Sequence, residues 1–150
     1  MSGAAIAVLL IAGLAVLQVT LLIWIWHRIG TIGARLAAEI ESDTVLRPPE
    51  NGQYIGATAP GYPFWNNFGQ IALTTRRLVF TTVTGKTIEI PLSEITGISE
   101  SRVYRGGTSI EIRKKKHLVI ELESGEVSFS VRDNTPWTKV ITRAIGDGAA

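Results

Sequence analysis

The chain offers few residues able to do chemistry, and their spacing leaves most of them alone. There are two histidines and no cysteine, so thiol nucleophiles, disulfides and zinc–thiolate sites are excluded. His27 and His117 stand far apart, with no second ligand or base placed beside either by spacing, so neither a metal site nor a triad is expected. Glu111, Glu121 and Glu123 recur at even intervals, which reads as the solvated face of a strand and not as a pair of catalytic carboxylates. Thr84–Thr87 (TGKT) has the ending of a phosphate-binding loop. The glycine required five positions before Gly85 is replaced by Phe80, and a strand pattern follows where a helix is needed. Arg105–Thr108 (RGGT) likewise reads as a turn without the spacing of a dinucleotide loop. No catalytic residue, metal or cofactor is expected, and the chain is read as not an enzyme.

Two segments remain as candidates for binding. Arg113, Lys114, Lys115 and Lys116, followed by His117, are the one concentrated charge, and Arg102 and Arg105 could join them across a hairpin. A polybasic turn of this kind reaches anionic headgroups at a membrane surface, with about 1 kcal/mol for each Lys or Arg near it. Its alternative is a solvated turn that blunts edge-to-edge strand pairing. Interleaved acids and the lack of an exposed aromatic series beside the lysines argue against nucleic acid. The second segment, Gly61–Asn67, is an aromatic loop carrying Tyr62, Phe64 and Trp65. It reads first as a plug folded back on the core, because large exposed apolar patches are uncommon; insertion into an interface or contact with a partner are its alternatives.

What positions these segments is set by an uneven distribution of hydrophobicity. Of 150 residues, 45% are hydrophobic, and the excess sits at the N-terminal end. Gly3–Trp26 carries no charge, and its roughly 24 residues exceed the ~20 that a spanning helix needs. Trp24, Trp26, His27 and Arg28 follow as a membrane-interface group, since tryptophan rings prefer the headgroup level and Arg28 must lie at or beyond it. A cleaved signal peptide would need a basic leading segment and a small-residue exit, neither of which is present, so a retained anchor is expected. Arg28 and Arg35 follow the apolar run, and only the terminal amine precedes it. The expectation is a single-pass cell-membrane protein with its N-terminus outside and its C-terminal part cytoplasmic. The formal net charge of +2 is too small to suggest a nucleic-acid arm.

Beyond the anchor (residues 1–28), Ile29, Ile32, Leu36 and Ile40 recur at helical spacing in a juxtamembrane connector (29–47), where Gly30 and Gly33 allow a bend and Pro48–Pro49 mark the boundary of a domain at 48–150. From residue 53 the hydrophobic period becomes 2. Ile71/Leu73, Leu78/Phe80, Ile88/Ile90, Ile110/Ile112, Leu118/Ile120/Leu122 and Val127/Phe129/Val131 alternate with small or polar residues. Close turn signals between these runs predict hairpins and an antiparallel sheet. A last switch of period predicts a helix with Thr135 as its N-cap, an apolar face of Trp137, Val140, Ile141, Ala144 and Ile145, and a stop at Gly146. That face must lie on the sheet, so the fold class expected is mainly β: a seven-stranded antiparallel barrel or sandwich capped by one C-terminal helix and preceded by a transmembrane helix.

This order of elements is the pleckstrin-homology (PH) layout. Gly69–Phe80 (GQIALTTRRLVF) and Ile88–Ile98 (IEIPLSEITGI) resemble the GRAM and bacterial PH-like families, which typically show a small residue, a strand ending in Leu-Thr, then Arg-Leu-x-Phe and Ile-Pro-Leu-x-x-Ile. The resemblance covers roughly residues 45–145, and Trp137 fits the last helix. It implies a PH-like binding fold, with phosphoinositide or protein binding as in some members, while the scaffold itself does not decide the ligand. The expected function is a non-catalytic binding module at the cytoplasmic membrane face, engaging a protein partner, anionic lipid headgroups or both. The alternative is an accessory subunit of a larger integral membrane complex, held through its transmembrane helix.

Overall fold

The computed structural model describes residues 2–106 and 109–148, with side chains placed for all of these but 104–106, 109–114 and 148. A long helix, α1 (Gly3–Glu39), leads into seven strands, β1 (Val45–Ala57), β2 (Asn67–Thr74), β3 (Arg77–Thr82), β4 (Thr87–Pro91), β5 (Ile95–Gly106), β6 (Ser109–Leu122) and β7 (Gly125–Val131), and a final helix, α2 (Asn134–Gly148). Every strand pair is antiparallel, in the order β4-β3-β2-β1-β7-β6-β5. The sheet curls into a half-barrel, with α2 laid across it.

The period-2 pattern dictates which residues meet inside. Tyr54, Phe80 and Phe129 come from three strands and stack with ring centroids 5.6–6.2 Å apart. Around them close Ile71, Leu73, Leu78, Ile90, Leu118, Ile120 and Val127, all buried. Gly69 has to be bare because β2 and β3 approach so closely there: a Cβ would lie 2.0 Å from the Thr81 carbonyl oxygen and 2.9 Å from Phe80 Cζ. The turn between β3 and β4 is the TGKT segment. Gly85 takes φ +90°, which a bare residue tolerates, and its N–H donates to Thr82 O. The segment is therefore a hairpin turn, as its spacing implied.

The C-terminal helix begins two residues earlier than its sequence suggested, and it outlasts Gly146, reaching Gly148. Asp133 is the cap: its carboxylate accepts the N–H of Thr135 at 3.0 Å. Trp137 and Ile141 are fully buried against the sheet. The indole Nε1 donates to Glu50 Oε1 at 2.6 Å, and Arg47 lies over the ring at 4.7 Å while donating to Glu50 Oε2 at 2.7 Å. Pro48 and Pro49 sit between these two partners, inside β1. Together they oppose Ala72 alone, a bulge that accommodates residues lacking an N–H and turns Arg47 and Glu50 towards α2.

No bend occurs in α1. Its 37 residues run unbroken for about 55 Å. Its first part is buried against nothing among the described residues and is long and apolar enough to cross a membrane. Its last part docks on the outer face of β2 and β3. Leu36 and Ile40 pack on Ala72 and Val79, and Ile32 is buried beside them. Gly33 serves this docking and not a bend: a Cβ there would come within 3.3 Å of Gln70 Cδ.

The end of the helix is clamped by charge. Asp43, with a side chain only 2% exposed, accepts from Arg77 Nε at 3.2 Å, Arg76 Nη1 at 3.3 Å and Thr74 Oγ1 at 3.3 Å. Arg77 also meets Glu89 at 2.8 Å, and that hydrogen bond, the largest influence on its guanidinium, raises its pKa. Arg76 is largely exposed and adds little, so the clamp is the Asp43–Arg77–Thr74 group. Asp43→Asn is expected to lower stability by about 2 kcal/mol, the net worth of hydrogen bonds to a charged group. Denaturant unfolding of the full chain in detergent measures it, and amide exchange in residues 34–42 should rise with it.

Candidate functional site

The basic segment is not a turn. Arg113–Lys116 lies within β6, and the two apolar runs on either side belong to that one strand. The pairing with β5 shows how. Ser101 pairs with His117 and Val103 with Ile112, so Arg113–Lys116 opposes Arg102 alone. The charged residues are an excursion of β6 that leaves its ladder and returns to it, a wide bulge that gathers Arg102, Arg113, Lys114, Lys115 and Lys116 at one place along the hairpin. Arg105 pairs with Ile110, nearer the hairpin tip. The side chains of Arg105, Arg113 and Lys114 lie outside the described residues.

The described bases are held in different ways. Lys115 is exposed, and its Nζ donates to the carbonyl oxygens of Val131 and Arg132, tying the bulge to the end of β7. Lys116 is exposed and pairs with Glu100 at 3.5 Å. Arg102 is exposed on β5. His117, which closes the bulge, is fully buried, so it belongs to the core and not to the basic surface. Asn134 supports the arrangement by donating to Lys116 O at 3.0 Å.

The position of the bulge follows from strand direction. Alternate reversals put the β1–β2, β3–β4 and β6–β7 connections at one end of the sheet, and the β2–β3 and β5–β6 connections at the other. The helix α1 runs between these ends. Its far end, through Asp43, meets the β2–β3 turn. Its apolar part leaves from the opposite end, where Arg28 Nε donates to Val83 O at 3.4 Å. By register the bulge is not at the β2–β3 turn: Lys115 holds the end of β7, where Val131 pairs with Gly52 and Gly52 pairs with Gly69.

Of the four residues expected at a membrane interface, Trp24, Trp26 and His27 are exposed on α1, and Arg28 is half-buried against Val83. The aromatic loop divides in two. Tyr62 turns inward onto the core, and burial, with a smaller push from Glu94, raises its phenol above the ordinary value. Phe64, Trp65 and the neighbouring Phe68 instead face outward at 68%, 81% and 61% exposure. The plug expected from composition is thus Tyr62 alone. The Asp43 clamp and the Glu50–Trp137 hydrogen bond carried no sequence signal, because each depends on partners distant in the chain, whereas the aromatic loop was legible as a segment but not in which of its rings turn outward. Among the described residues no cluster of His, Asp or Glu could hold a metal ion.

No family model matches the chain, and no curated protein does. Among solved structures, it is similar to a crystal structure of the C-terminal domain of an unknown protein from Leishmania infantum. The identity is 11%, the TM-score 0.50, and the match covers 78% of this chain and 98% of that one. A likeness at this identity speaks for the fold alone. The architecture, a curled antiparallel half-barrel closed by a C-terminal helix and preceded by a long apolar helix, fits a PH-like fold.

Proposed function

We propose that this chain is a membrane-anchored, non-catalytic PH-like binding module that presents its basic bulge to an acidic protein partner at the cytoplasmic face of the cell membrane. The unbroken passage of α1 from an unburied apolar segment onto the sheet carries the reading. A soluble protein would gain nothing from leaving so large an apolar surface uncovered. Arg28 and Arg35 at the domain side favour a cytoplasmic half-barrel.

The choice of partner rests on the anchor. A chain already anchored needs no recruitment by lipid, which favours an acidic protein surface over lipid headgroups. The strand order of the half-barrel and its wide bulge supply an exposed, rigidly backed basic edge for such a surface.

Affinity isolation of the full chain tests this, comparing wild type with the Arg102→Glu, Lys114→Glu, Lys116→Glu variant. The expected result is a stoichiometric partner that wild type retains, that raised salt releases and that the variant loses. Retention of the same partner by the variant would instead favour the accessory-subunit reading, in which the transmembrane helix makes the contact. Loss of binding to anionic vesicles in the variant, with the protein partner kept, would return the bulge to the lipid.

A further inference from the structure

We infer that the β1–β2 loop is a second membrane contact, with Phe64, Trp65 and Phe68 seated in the lipid interface beside the helix. This rests on α1 spanning the membrane, and it assigns a task to an exposed aromatic group that the basic bulge does not use.

Height is the first argument. The strand β2 runs alongside α1 and can be measured against it. Thr74 lies at Asp43, Ala72 at Leu36 and Gln70 at Gly33. Each step back along β2 is a step towards the apolar segment. Phe68 is the next residue on the same outer face of the strand, about 7 Å beyond Gln70. Its level is fixed independently: the N–H of Val83 donates to Phe68 O at 2.8 Å, and Val83 O accepts from Arg28. Phe68 therefore stands at the height of Arg28, about 3 Å of helix rise beyond Trp26. Phe64 and Trp65 precede it in the loop that caps the same end of the sheet.

Rigidity is the second. The loop is tied down at its root, where the N–H groups of Thr58 and Ala59 share Glu126 O. It is tied again where the Tyr54 hydroxyl donates to Pro63 O, immediately before Phe64. Tyr62 is spent on the core. The outward aromatics are thus held by an anchored loop, with little freedom to fold back under the barrel.

Chemistry is the third. Tryptophan and phenylalanine gain by leaving water for the headgroup–acyl boundary, and Trp24 and Trp26 occupy that level on α1. Lys86, exposed in the neighbouring β3–β4 turn, is suited to the same boundary. With Glu94 and Glu123 also near this end, the contact is apolar in origin and does not need anionic lipid.

The absence of native cysteine permits a clean test. The full chain is reconstituted in phosphatidylcholine vesicles with a nitroxide at a single introduced cysteine: Asn66→Cys beside the aromatics, Leu14→Cys in the span, or Arg143→Cys on α2. Relative exposure to oxygen and to a water-soluble nickel complex reads depth. The expected result places the label at 66 at the interface, with an oxygen-to-nickel ratio several-fold above that at 143. Adding Phe64→Ser and Trp65→Ser should bring it down to the value at 143 while far-UV dichroism stays unchanged. An aqueous label at 66 with a buried label at 14 overturns the loop contact alone. An unchanged depth without the aromatics overturns their role. An aqueous label at 14 overturns the transmembrane reading and this inference with it.

Discussion

Trp137→Ala is expected to destabilise the half-barrel by about 3–5 kcal/mol, the usual cost of truncating a fully buried large aromatic residue. The indole fills the space between α2 and the sheet, beside Arg47 and Glu50 of β1. Two further losses accompany the cavity. Glu50 loses its 2.6 Å donor, and Arg47 loses the ring it covers. Trp137→Phe separates these contributions. It keeps most of the volume and removes the hydrogen bond, so a smaller loss of about 2 kcal/mol is expected. The denaturant midpoint of the β-sheet dichroism, followed on the full chain in detergent, distinguishes the two. Equal, small effects would mean that α2 does not depend on this anchor.

Gly69→Ala is expected to be at least as damaging, at more than about 3 kcal/mol, above the usual range for overpacking. The added methyl group meets a carbonyl oxygen of the adjacent strand at 2.0 Å, and a backbone atom cannot swing aside as a side chain can. Relief requires β2 and β3 to separate, and β2 carries both the core residues Ile71 and Leu73 and the face on which α1 docks. Loss of a cooperative unfolding transition, or recovery only as aggregate, is the expected observation. A variant with a wild-type midpoint would show that the strands part cheaply. Gly33→Ala provides the contrast: its methyl group meets only the flexible end of Gln70, so a shift of a few tenths of an ångström accommodates it.

These two positions show what kind of information the sequence carries locally. Leu78 with Phe80 and Ile88 with Ile90 reveal strands because alternation is a property of neighbours. Trp137, Val140 and Ile141 reveal a helix face in the same way. The small residue at the head of the GQIALTTRRLVF segment was visible as a pattern, and the close approach of Thr81 gives its reason. Legibility ended where the outcome depended on a partner far along the chain. Arg113–Lys116 has the composition of a turn, and only the pairing of Ser101 and Val103 on β5 makes it a bulge within a strand. Tyr62 and Trp65 are equally aromatic, and composition does not say which turns inward. The placement of Pro63 by Tyr54 accounts for the division. Asp43 lies 33 and 34 residues from the arginines it joins. Gly30 and Gly33 left a bend possible, and packing of Ile32, Leu36 and Ile40 outweighs their helix-propensity cost of about 1 kcal/mol each, so the helix continues unbroken.

The seamlessness of α1 has a geometric consequence. Each residue of an α-helix turns the chain by about 100°, so a continuous helix fixes the compass bearing of everything attached to it. The side of α1 that faces a given neighbour in the bilayer and the side of the half-barrel that carries Arg102 and Lys116 are set in one phase. Deleting a single residue between Trp26 and Ile32 would swing the basic edge by more than a quarter turn while leaving its chemistry untouched. Inserting seven there would instead leave the bearing nearly unchanged. Azimuth, in this architecture, is encoded by chain length.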